Sequence, residues 1–195
     1  MRTGIWREHS KSKMRVIGGT AKGRPLKAVP GDSTRPILDR VKTPLFDILR
    51  PTLQGISMLD LFGGTGAVGI EALSQGAGHC VFLDTNSRAV ATIKDNLVTC
   101  GLSDRAEVRH TDAFIYLKHT QKTFDLIYVA PPQYKGIWIE AMRSLAERPQ
   151  LVAEGGRVIV QVDPKEYESL DLAHLREANQ RKYGNTILLF FEPAR

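Results

Sequence analysis

Cysteine is nearly absent from this 195-residue chain: Cys80 and Cys100 are the only two. That count rules out a disulfide framework, and their spacing offers no metal-ligand pair, so both read as buried, reduced thiols without chemistry and no metal is expected. Long apolar runs are missing as well; the longest are strand-sized, which excludes a membrane-spanning helix. The opening residues MRTGIWREHSKS lack the apolar stretch of a secretory signal. A soluble, cytoplasmic protein is expected. Acidic residues are scarce in the first quarter, where residues 1–50 hold 12 Lys or Arg against 4 Asp or Glu, whereas residues 51–195 hold 15 against 17. The net charge of +6 therefore belongs entirely to the amino-terminal block. Such a block suits a polyanion, because phosphate neutralisation supplies most sequence-independent nucleic-acid affinity.

What is present, at 42% hydrophobic residues, is enough apolar content for one globular domain and a small appendage, with no room for a second catalytic domain. Residues 1–13 are polar, basic and aperiodic, and read as a mobile basic arm. Residues 14–50 read as an extension made of a hairpin and a helix. In it, Arg15–Gly18 and Arg24–Val29 are strand-like runs around Gly19 and Gly23. Thr34 then precedes Pro36 at a first helical position, and Leu38, Val41, Leu45 and Ile48 recur at helical spacing, with Pro44 a site for a bend. Arg35, Arg40 and Lys42 lie off that stripe. With Arg15, Lys22 and Arg24 they are the candidate phosphate contacts.

From residue 51 to 195, strand and helix patterns alternate: strands near 56–62, 79–84, 105–109 and 124–129, helices near 66–76, 86–100, 112–118 and 136–147. Alternation of this kind implies a mostly parallel sheet with helices on both faces. Gly155-Gly156 introduces the apolar run Val158–Val162. Arg176–Tyr183 and Thr186–Phe191 flank Gly184-Asn185 and read as a closing antiparallel hairpin. The expectation is an α/β, Rossmann-like, seven-stranded sheet whose last strand is reversed.

Asp60–Gly69 reads DLFGGTGAVG, a strand running into a glycine turn and then a helix. Gly64, Gly66 and Gly69 have dinucleotide spacing, and Asp84 follows about 20 residues on. Asp60 argues against a dinucleotide, since a carboxylate there repels a pyrophosphate but accepts from the ammonium of an amino-acid moiety. Asp84 ends the second strand, where it suits ribose hydroxyls. Asp112 follows the third, where it suits an adenine amino group with Ala113 and Phe114 against the ring, although alone it reads equally as a helix cap. Three carboxylates at successive strand ends favour S-adenosylmethionine. Ala130-Pro131-Pro132-Gln133-Tyr134 then follows the fourth strand. An exocyclic base amine is a poor nucleophile, and a rigid turn of this kind can aim acceptors at its hydrogens while Tyr134, or Trp138 one turn later, stacks on the base; the other reading of either aromatic, and the favoured one for Trp138, is packing in the core.

Four segments, RVIGGTAKGRPL (Arg15–Leu26), TRPILDRVKTPLFDIL (Thr34–Leu49), LDLFGGTGAVGIEALSQGA (Leu59–Ala77) and YGNTILLFFE (Tyr183–Glu192), resemble the bacterial 16S ribosomal RNA guanine-N(2)-methyltransferase family. The resemblance implies a class I, S-adenosylmethionine-dependent enzyme, acting as a monomer on ribosomal RNA or a partly assembled small subunit. Carried over by position, Asp60, Phe62, Gly63, Gly64, Gly66, Asp84, Asp112 and Ala113 would bind cofactor. Ala130, Pro131, Pro132, Gln133 and Tyr134 would form the target-base pocket. The chain departs from the family pattern at Ala130, where Asp or Asn usually stands, leaving Gln133 as a substitute acceptor. Methylation of another RNA or DNA base amine, such as adenine, and a non-catalytic RNA-binding assembly factor remain as alternative readings.

Overall fold

The computed structural model describes Met14–Gly31 and Ile37–Ala194. The expected arm at 1–13, and with it Thr34, Arg35 and Pro36, lie outside the described residues. The elements are α1 (Asp39–Leu49), β1 (Ser57–Asp60), α2 (Ala67–Ser74), β2 (His79–Asp84), α3 (Ser87–Cys100), β3 (Ala106–His110), α4 (Ala113–His119), β4 (Phe124–Val129), α5 (Ile137–Ala146), β5 (Val152–Val162), β6 (Leu175–Tyr183) and β7 (Thr186–Pro193).

Seven strands form one sheet in the order β3-β2-β1-β4-β5-β7-β6. β1 to β5 pair in parallel, and β7 runs antiparallel to both β5 and β6. The strand order reverses between β1 and β4, and at such a switch point an open α/β sheet leaves a crevice at its carboxyl edge.

Alternation along β2 shows how two layers share one sheet. Cys80 and Phe82 pack toward α1, α2 and α3, whereas Val81 and Leu83 pack toward α4 and α5. The first layer includes Val16, Ala21, Leu26, Val41 and Leu45 beside Ile70 and Ile93, so the amino-terminal block and α2 are parts of one core. Two of its pairings make a short turn unit: the Val16 amide donates to the Arg24 carbonyl and the Leu26 amide to that of Met14.

Two local expectations are corrected. Leu38 precedes α1 and is exposed, while Phe46 and Leu49 join Val41 and Leu45 on the buried face. Gly155-Gly156 lie inside β5, where the register with β4 shifts between the Phe124 and Leu126 pairings; β5 therefore begins at Val152. Of the two readings of Trp138, the core one holds: it is buried against the second layer and cannot stack on a base.

Lys42 is the largest correction. It is fully buried, where its ammonium donates to the Arg15 carbonyl at 2.6 Å and lies 3.3 Å from Glu71 Oε2. Glu71 is equally buried and accepts from the amides of Ile17 and Gly18 and from Gln75 Nε2. A cation held this way cannot meet RNA phosphate. It fastens α1 and the amino-terminal turn to α2. Asn96 does the same for the far end of the turn, accepting from the Lys27 amide and donating to the carbonyls of Lys27 and Thr65.

Candidate active site

The carboxyl edge of the sheet holds a cavity of about 830 Å³, within the usual range for small-molecule sites. Its wall combines the end of β1 and the glycine loop (Asp60, Phe62, Gly63, Gly64), the end of β2 (Asp84), the start of α4 (Asp112, Ala113) and the segment Ala130–Tyr134 after β4. The structure thus brings both sequence-derived groups together in one cavity. Gly66 alone of them stands outside the lining; it shapes the loop from behind.

Gly66 caps α2 in the left-handed conformation, φ 77°, which a residue with a side chain adopts only at a cost. Its amide donates to the Gly63 carbonyl, and that of Gly63 donates to the Leu83 carbonyl, which closes the turn against β2. Gly69 has a different role: a Cβ there would sit 2.2 Å from the Phe82 ring, so its hydrogen sets how closely α2 approaches the sheet.

The carboxylates differ in state. Asp84 accepts the Gly64 amide on Oδ2 and the Asn86 amide on Oδ1. Asp112 caps α4, its Oδ1 taking the amides of Phe114 and Ile115, so it performs the capping role while lining the cavity. Asp60 is buried, and its Oδ1 has no partner among the described residues. Desolvation, reinforced by the Asp84 charge and opposed by the Phe62 and Gly69 amides, raises its pKa from 3.8 to about 7. An orphaned carboxylate oxygen on a cavity floor fits a cationic group. It does not fit a pyrophosphate. Among the described residues no group of three or more His, Cys, Asp or Glu is placed to hold a metal ion.

Among the lining residues that escaped the sequence reading are Tyr128 and Gln161. The Tyr128 hydroxyl donates to Gln161 Oε1 at 2.5 Å, and Val129 pairs with Val160, which places Gln161 across from Ala130. The signal was one polar residue within the apolar run VIVQV. Tyr134 lines the mouth of the cavity, 63% exposed.

Of the candidate phosphate contacts, Arg15, Lys22, Arg24 and Arg40 are exposed. Arg15 faces Asp39 at 4.0 Å. The Arg40 guanidinium lies over the β6–β7 turn, 3.6 Å from where a Cβ on Gly184 would be. Arg35 lies outside the described residues.

The sequence model of the family described as "Conserved hypothetical protein 95" matches residues 14–192. The chain is 39% identical over 176 residues to the Bacillus subtilis protein named "Putative rRNA methyltransferase YlbH", covering 89% of this chain and 95% of that one. It is 34% identical over 142 residues to the Haemophilus influenzae ribosomal RNA small subunit methyltransferase D, covering 71% and 74%. Among solved structures, the Escherichia coli protein titled "Putative methyltransferase yhhF" superposes with a TM-score of 0.81 at 28% identity, covering 93% of this chain and 98% of that one.

Proposed function

The chain belongs to the conserved hypothetical protein 95 family, and we propose from this, together with the site, that it transfers a methyl group from S-adenosylmethionine to the exocyclic N2 amine of a guanine in small-subunit ribosomal RNA. The observation that carries the reading is the unpartnered Asp60 oxygen in a cavity shared with the Ala130–Tyr134 turn. The names of the relatives, ribosomal RNA methyltransferases, support the substrate class.

When bound, adenosylmethionine supplies a methyl group on a positively charged sulfur, which is already electrophilic. The protein's work is then placement. Asp60 would accept from the ammonium, Asp84 from the ribose hydroxyls and Asp112 from the adenine amine, with Ala113 and Phe114 beside the ring. The target base arrives unstacked and lies on Tyr134. The Pro131 carbonyl and the Gln133 amide oxygen accept its amine hydrogens, which orients the nitrogen lone pair, and the released proton passes to solvent. No side-chain general base is required.

Gln133→Ala is expected to lower turnover about tenfold or more, the scale for losing a positioned acceptor, while cofactor affinity stays within about twofold. Unchanged turnover would remove Gln133 from the mechanism. Arg24→Ala and Arg40→Ala are expected to weaken RNA binding evenly across sequences and to reduce the slope of log affinity against log salt by about 1 each. A wild-type slope would refute their phosphate contacts.

The substrate is ribosomal RNA or a partly assembled small subunit, and the protein works as a cytoplasmic monomer. Among the described residues no helix is long and apolar enough to cross a membrane. Nucleoside digestion of the methylated RNA and mass analysis test the base assignment: N(2)-methylguanosine is expected. Methyladenosine would move the target to adenine. A non-catalytic RNA-binding factor, the reading that Ala130 favours because its side chain accepts nothing, would give cofactor binding without any labelled nucleoside.

A further inference from the structure

Tyr134 adopts φ 62°, the only positive φ at a non-glycine residue among those described. A bulky residue persists there only where its surroundings hold it. Two groups from the turn after β5 do so. The Tyr134 hydroxyl donates to Asp163 Oδ2 at 2.9 Å and its amide donates to Glu166 Oε1 at 2.5 Å. That turn is itself pinned, for Asp163 Oδ1 accepts the Lys165 amide and the Asp163 carbonyl accepts the Glu166 amide. The Asp163 side chain is buried, and it stands at the carboxyl edge, one strand beyond the Ala130–Tyr134 turn.

We propose that Asp163 and Glu166 are positioning residues for methyl transfer, clamping Tyr134 at both its hydroxyl and its backbone so that the exposed ring forms a fixed platform for the incoming base. The inference rests on the base pocket proposed above, and neither carboxylate touches the reacting atoms. One bond fixes the ring's outer end, the other the left-handed backbone that aims it. The clamp also links β5 to the Pro131-Pro132 turn, so the acceptors of the base amine share the same support.

Three comparisons test this. Glu166→Ala is expected to lower kcat about tenfold, the scale of a small misplacement near reacting atoms, with the cofactor Kd within about twofold of wild type. Glu166→Gln keeps an acceptor for the Tyr134 amide and is expected to restore kcat to within about threefold of wild type. Tyr134→Phe, which keeps the ring and removes the hydroxyl that Asp163 accepts from, is expected to raise the RNA KM. Hydrogen exchange of the amides at 133–136, measured without RNA or cofactor, is expected to quicken about tenfold in Glu166→Ala and to stay near wild type in Glu166→Gln. Unchanged exchange in Glu166→Ala would overturn the clamp even if the protein proved not to be a methyltransferase. Active wild type beside an equally active Glu166→Ala variant would overturn its role in positioning while leaving the proposed reaction standing.

Discussion

Lys42→Met is expected to lower the unfolding free energy by about 3–5 kcal/mol, the scale for removing one partner of a buried ion pair. Methionine fills nearly the same space, so the loss comes from charge and not from a cavity. It leaves the Arg15 carbonyl without its 2.6 Å donor and Glu71 without its cation. Glu71 keeps the amides of Ile17 and Gly18, which softens the effect, yet no other cation is paired with it among the described residues. For a chain of this length the midpoint should fall by roughly 10 °C. Because the pair fastens the amino-terminal turn to α2, the variant is also expected to lose RNA affinity through misplacement of Arg15 and Arg24. Chemical denaturation checks the first effect. A loss below about 1 kcal/mol, the range of an exposed ion pair, would mean that Lys42 is a surface cation after all.

Asp60→Asn is expected to separate binding from stability. Removing a charge-assisted contact to the ammonium should weaken cofactor binding about 100-fold, and turnover at low cofactor should fall in step. Stability should move the other way. The folded-state pKa of Asp60 is raised, from 3.8 to about 7, so the folded protein holds this proton more tightly than the unfolded chain. The cost of burying the ionised form is absent below about pH 4, grows as pH rises to 7 and is complete above it; a shift of this size corresponds to roughly 4 kcal/mol. Asparagine carries no such charge, so the variant should be more stable than wild type at pH 8 and nearly equal to it at pH 4. The same titration governs wild-type binding. Only the ionised carboxylate pairs with the ammonium, so cofactor affinity should fall on the order of tenfold from pH 7 to pH 5.5. Calorimetric binding at the two pH values and thermal melts of the variant check both statements, and a variant no more stable at pH 8 would show that Asp60 is not buried in ionised form.

The residues legible in the sequence were those whose chemistry depends on position along a single strand. Asp60 and Asp84 each close an apolar strand and Asp112 follows the third strand, and in a parallel sheet that is enough to gather them at one edge. Ala130–Tyr134 joined them by the same rule. Lys42 was misread for the opposite reason. A helical pattern assigns a lysine off the apolar stripe to solvent, but this one meets Glu71, 29 positions away in a helix buried on all sides, and neither charge announces the other. Trp138 lies one helical turn from Tyr134, yet its indole is buried in the second layer while the Tyr134 ring is exposed. Asp163 and Glu166 lie about 30 residues beyond Tyr134 in a turn without motif, and only the pairing of β4 with β5 brings them to it.

Methyl transfer to small-subunit RNA is tested by incorporation of labelled methyl groups from S-adenosylmethionine into small ribosomal subunits. Particles would be taken from cells lacking this protein and from cells containing it. The expected result is close to one methyl group per particle in the first case and almost none in the second, because the site there is already filled. Equal labelling of both, or labelling of neither while cofactor still binds, would contradict the account.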